Sequence, residues 1–151
     1  MDANANIQFG LKFIQEKAFS LTNDQTFLNS LTAENLEVQF MAQTFINLEN
    51  DEVKILVGVK YLSQSTDILQ IEMVFTFVID QITNVVTTDA DNKKITFKVD
   101  LMSTFLTVAM GTLRGVLFEK TSKSVLTKYP LPLIDCKLLM ERNTFHIEKK
   151  L

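Results

Sequence analysis

Tryptophan is absent from this 151-residue chain, cysteine and histidine occur once each, and there are four glycines and two prolines. Each scarcity removes a class of chemistry. The single cysteine, Cys136, excludes an internal disulfide and suits a reducing compartment. The single histidine, His146, cannot build a multi-histidine metal site, and no cysteine or carboxylate stands beside it at ligand spacing. Ten positions separate Cys136 from His146 in a segment read as helical, a spacing that gives no support to a thiol dyad. Cys136 therefore reads as structural and His146 as a solvated residue at a helix end. With so little glycine there is no phosphate-cradling loop, and "TLRG" at 112–115 is too short to be one. The acids are scattered apart from "ENDE" at 49–52, a solvated turn. A net charge of −3 without a lysine stripe leaves no footprint for nucleic acid. No acid–base pair comes into view, so the chain reads as a non-enzyme that needs no cofactor or metal.

The beginning of the chain, "MDANANIQFG", has neither the basic start nor the apolar run of a signal peptide. Residues 101–118 approach the about 20 apolar residues of a membrane span. Arg114 interrupts them, however, and Lys98, Asp100, Glu119 and Lys120 crowd the ends, so no membrane insertion is expected. These features and the lone cysteine lead to the expectation of a cytoplasmic protein.

What is abundant is phenylalanine, at twelve residues, within a hydrophobic share of 46%. Phenylalanine has no polar atom to satisfy, so it marks a dry core or an apolar surface for a partner. The length suits one domain, 1–151. Alternation predicts four strands within about 7–80. They are carried by Ile7, Phe9, Leu11 and Phe13; by Leu36, Val38, Phe40 and Ala42; by Val53, Ile55, Val57, Val59 and Tyr61; and by Leu69, Ile71, Met73, Phe75, Phe77 and Ile79. Short polar links such as "NLENDE" suggest an antiparallel meander. "SLTNDQTFLNSLTAE" reads as a loop or irregular excursion, and 81–99 as either a short hairpin or a loop closing over the sheet.

Two helices follow, at about 101–121 and 134–148, so the fold class is α+β, with a four-stranded antiparallel sheet and both helices packed on one face. Asp100 is placed to cap the first helix. Its segment "MSTFLTVAMGTLRGVLF" is apolar nearly all round, whereas a surface helix shows a polar face. Gly111 and Gly115 lie four apart on one face and each weakens an isolated helix by about 1 kcal/mol relative to Ala, which points to close packing against another backbone.

The order of these elements resembles the SecB export chaperones. The resemblance runs through "IQFGLKFIQEKAFSL", the hairpin "ENLEVQFMAQTFINLENDEVKILVGVKYLS", the Arg114–Gly115 pair in the long helix and the proline-led "LPLIDCKLLM", covering about 7–145. It implies a homotetramer, a dimer of dimers, that holds unfolded polypeptide clients in apolar grooves without ATP. It would also bury the outer face of the 101–121 helix against other subunits, with Phe105, Ala109, Gly111, Leu113 and Gly115 as interface candidates. The groove candidates are Phe19, Phe27, Leu28, Phe45, Tyr61 and Val74. SecA, the partner of many family members, would dock at acids: Glu72 matches the one on the sheet face. The first-strand positions hold Lys17 and Leu21 with only Glu16 nearby, and the tail is reduced to "IEKKL". The function expected is an ATP-independent holdase for non-native polypeptides such as preproteins. The alternatives are a dedicated chaperone of one partner, such as an antitoxin, and a carrier of a small apolar ligand.

Overall fold

The computed structural model describes residues 7–89, 94–133 and 135–147. The alternating segments form β1 (Phe9–Leu21), β2 (Glu37–Asn47), β3 (Glu52–Ser63) and β4 (Thr66–Ile79). The link from β2 to β3 turns on Asn47, whose Oδ1 accepts the Glu49 and Asn50 amides at 3.1 Å each, and on Asp51 in the left-handed region at φ 57°. The link from β3 to β4 is only Gln64 and Ser65, at φ 50° and 65°. Two consecutive left-handed residues give the hairpin turn that suits right-twisted strands, achieved here without glycine.

The sheet order is β1-β4-β3-β2-β7, five strands instead of the expected four, where β7 is Asn143–Ile147. The meander is limited to β2, β3 and β4, and β1 lies antiparallel to β4. The cause is in the 22–36 link, which is long enough to carry the chain across the sheet. It contains α1 (Gln25–Asn29), capped by Asp24, whose Oδ1 accepts the Phe27 amide at 3.1 Å.

The expected 134–148 helix also gives way. Helix α3 covers only Cys136–Arg142, and the chain then extends as β7, parallel to β2; positions 134 and 148 lie outside the described residues. None of Asn143, Thr144, Phe145, His146 and Ile147 is a strong helix former, and β2 presents an edge that a strand can pair. His146 is accordingly a strand residue. In the 81–99 region the hairpin alternative holds: after a 3-10 turn at Ile82–Asn84, β5 (Val86–Thr88) pairs β6 (Ile95–Phe97) in a small separate ladder. The tip of the expected turn "DADNKK", at 90–93, lies outside the described residues.

Helix α2 (Met102–Lys120) lies on the sheet face formed by Ile55, Ile71, Phe75 and Phe77. Asp100 holds its start: Oδ1 accepts the Ser103 amide at 3.1 Å and Oδ2 the Ser103 hydroxyl at 2.6 Å. Phe105 stacks on Phe77 at 4.1 Å and meets Phe9 edge-on at 5.6 Å. Burying Phe105, Leu106, Ala109, Leu113 and Leu117 completely or nearly so contributes about 1.5–3 kcal/mol for each large side chain. No described helix is long and apolar enough to cross a membrane.

Candidate functional site

Beyond α2 the chain makes a short 3-10 turn, Val125–Lys128, capped by Ser124 Oγ accepting the Leu126 amide at 3.1 Å. The proline-containing segment that follows is pinned back onto α2. Arg114 donates from Nε to the Leu131 carbonyl at 3.3 Å and from Nη2 to the Pro132 carbonyl at 3.0 Å. Tyr61, from β3, donates its hydroxyl to the Tyr129 carbonyl at 3.0 Å, and Tyr129 donates its own to the Leu31 carbonyl at 3.2 Å. Burial pushes the Tyr61 phenol up to about 12, so it stays a neutral donor across the physiological range. These four bonds frame an open cavity of about 370 Å³, lined in large part by Tyr61, Gly111, Gly115, Phe118, Leu126 and Tyr129. Among the described residues Arg114 is the one ionic group of the lining, and its Nε and Nη2 donate to the loop carbonyls. Such a wall accepts apolar side chains by shape and burial alone.

Two further apolar surfaces lie on β1 and α2. Along β1, Phe9, Leu11, Phe13 and Ile14 are 42–61% exposed, and no described strand covers the strand's outer edge. On α2 the outward stripe is Thr104, Val108, Gly111, Gly115 and Phe118, of which Phe118 is 61% exposed. Apart from its chain neighbours and the local helix backbone, a Cβ at Gly111 or Gly115 would meet no described atom within 4 Å. The backbone packing expected of these glycines is therefore not supplied by the described residues.

The residues singled out from the sequence fall in three places. Leu28 and Tyr61 are core residues, 2% and 1% exposed, and not the exposed groove positions anticipated, although Tyr61 still walls the cavity. Phe105, Ala109 and Leu113 point to the chain's own sheet and are fully buried there, which removes them from an interface on the outer helix face. Helical periodicity alone cannot say which side of an all-apolar helix faces inward. Phe27 is partly buried on α1. Phe19 is partly buried on the helix side of β1, with Lys120 Nζ 4.4 Å from its ring centroid and 3.2 Å from Glu16 Oε2.

Phe45, Glu72 and Val74 lie on the opposite, helix-free sheet face, partly buried. Glu72 accepts Gln70 Nε2 at 3.2 Å beside a hollow of about 250 Å³ lined by Met41, Gly58 and Lys60 among others. Phe45 stacks on His146 at 4.9 Å and 19°. The exposed β1 side chains do not share the one face that alternation predicts, because a register shift between Leu11 and Phe13 turns Phe13 away from the face of Phe9, Leu11 and Ile14. The signal in the sequence was the adjacent pair Phe13–Ile14, apolar on both faces where a half-buried strand would alternate. Among the described residues no group of three His, Cys, Asp or Glu side chains is placed to hold a metal ion. No protein-family model matches this chain, and no curated protein matches it.

Proposed function

We propose that this chain is a SecB-like, ATP-independent holdase of the cytoplasm that binds unfolded or non-native polypeptides, preproteins among them, and keeps them export- or folding-competent. The observation that carries the reading is the apolar cavity between α2 and the following loop, open on one side and continuous with exposed Phe118. A mostly apolar wall, in which Arg114 is tied to the loop carbonyls, suits many large apolar side chains and none in particular, which is the recognition an unfolded chain needs. The β1 edge and the outer stripe of α2 support a homotetramer. Two copies joined along β1 and two such pairs meeting through α2 would cover the β1 edge and the helix stripe, leaving the loop side of the cavity, at Thr127, Tyr129 and Pro130, to a client. For SecA as a partner, Glu72 on the helix-free face is the supporting group; near β1, Glu16 is tied to Lys120 and supports it less.

A second reading, the carrier of a small apolar ligand, is favoured by the cavity volume itself, which falls within the roughly 300–1,000 Å³ of ligand pockets. A dedicated chaperone of one partner, such as an antitoxin, would use the same surfaces more selectively. Light scattering separates the three. A holdase at near-stoichiometric tetramer suppresses aggregation of a chemically denatured, slowly refolding enzyme without nucleotide, and leaves the folded enzyme untouched. No suppression at large excess overturns the general holdase. An apolar compound found by mass spectrometry of the extracted protein would then favour the carrier, and one co-purifying polypeptide the dedicated chaperone.

A further inference from the structure

β2 is asymmetrically covered. β3 pairs it from Glu37 to Asn47, whereas β7 pairs its other side only from Ala42 to Ile46. No described strand lies against the outer edge of Glu37–Met41, where Glu37 and Gln39 are exposed. β7 is also the one parallel strand of the sheet, five residues long, delivered by a helix of seven. Parallel pairing is slightly less stable per residue than antiparallel pairing.

One of its described side chains is left with an unsatisfied polar group. Asn143 is buried, and its Oδ1 accepts the Thr44 hydroxyl at 2.9 Å. The Asn143 Nδ2 has no hydrogen-bond partner among the described residues, so the docked strand carries an unsatisfied buried donor. On the other face Thr144 and His146 are exposed, and His146 lies over Phe45 as an incoming aromatic side chain would.

We infer that the outer edge of β2 is a strand-addition site for an extended polypeptide, and that β7 is its resident, displaceable occupant. The inference rests on the holdase reading for the identity of the polypeptide. Main-chain hydrogen bonds to a strand edge are indifferent to sequence, as a client site requires. The Glu37–Met41 half is paired by no described strand, though α3 packs against β2; a client strand entering there advances toward Ala42–Ile46 as α3 and β7 lift away together, uncovering Phe45.

The test uses the full chain with Gln43→Cys and Thr144→Cys, register partners across β2 and β7, in a Cys136→Ser background. The probe is fluorescent reduced, carboxymethylated lactalbumin, a permanently unfolded polypeptide. The oxidised form, with β7 locked in place, should bind it about tenfold or more weakly than the reduced form. Equal affinity in the two states overturns the inference and leaves the holdase reading standing. Failure of both the reduced form and the unmodified chain to bind counts against the holdase reading instead. Hydrogen exchange of the unmodified chain then decides the status of β7 independently of any client. Amides of Asn143–Ile147 should exchange about tenfold or more faster than those of β3 and β4, and matched protection overturns the inference.

Discussion

Gly58 shows how much one missing side chain decides. It is buried in β3 with the Met41 side chain laid across it, and an added Cβ would come within 2.7 Å of Met41 Cγ and 3.4 Å of Glu72 Cγ. Gly58→Ala should therefore cost about 1–3 kcal/mol, as overpacking does. Met41→Ala in the same chain should recover most of that loss, because it removes the atoms in the way. A denaturant-unfolding double-mutant cycle measures both numbers; additive losses would refute the contact. Tyr61 makes a second prediction. Its phenol ionises near 10 in the unfolded chain and at about 12 in the fold. Its contribution to stability is thus complete below pH 10 and is lost as pH rises toward 12. Tyr61→Phe should remove this loss from the stability profile and, by stranding the Tyr129 carbonyl, cost about 1–3 kcal/mol at neutral pH. The alternation of β3 made Tyr61 legible as an apolar-face residue. Its partner is 68 positions away, and no local pattern carries that information.

At the scale of elements, the start of α2 was legible to within one residue because capping is local: the N-cap position is Leu101, and Asp100 just before it supplies the side chain. Asp100 binds both the hydroxyl and the amide of Ser103, and the hydroxyl bond first, then the amide bond, holds its carboxyl below the usual 3.8. Its contribution is therefore present above that value and disappears as pH falls through the lower value in the fold. Asp100→Ala should lower stability by about 0.5–2 kcal/mol at neutral pH and flatten the acid side of the profile, read from thermal melts between neutral and strongly acidic buffers. The strands β2, β3 and β4 were legible for the same reason, a period of two over ten or more residues. Neither β7 nor the place of β1 was. "NTFHI" is too short for its period to speak, and its extended form depends on an edge offered by β2 from 99 positions away, as the Thr44–Asn143 bond measures. The neighbour of β1 is set by the reach of the 22–36 link, which composition records only as polar.

For the whole molecule, the decisive fact is that α2, packed on the sheet and flanked by α3 and by the loop that follows α2, keeps an outward stripe that no described residue covers. Phe105, Ala109 and Leu113 settle the inner face of α2, while Val108, Gly111, Gly115 and Phe118 leave the outer face without charge. The two glycines make a clean test of assembly, because, apart from chain neighbours and the local helix backbone, no described atom lies within 4 Å of a Cβ placed on either. Leucine at both positions starts from a Cβ with room around it and extends over the cavity that both glycines line, and should gain helix propensity on the order of 1 kcal/mol per site. If a second copy supplies the close backbone that these glycines leave room for, Gly111→Leu with Gly115→Leu should stop a tetramer at the pair joined through β1. Sedimentation velocity at micromolar concentration reads the outcome, with melting temperature as the control for folding. A dimer with an unchanged or raised melting temperature places the interface on α2. A tetramer that survives the substitution excludes that face. A monomer would mean that pairing along β1 depends on the α2 contact. Lysine in place of Leu11 and Phe13 then distinguishes the two joints, because charge along an exposed strand edge blocks edge-to-edge pairing and leaves the helix face untouched.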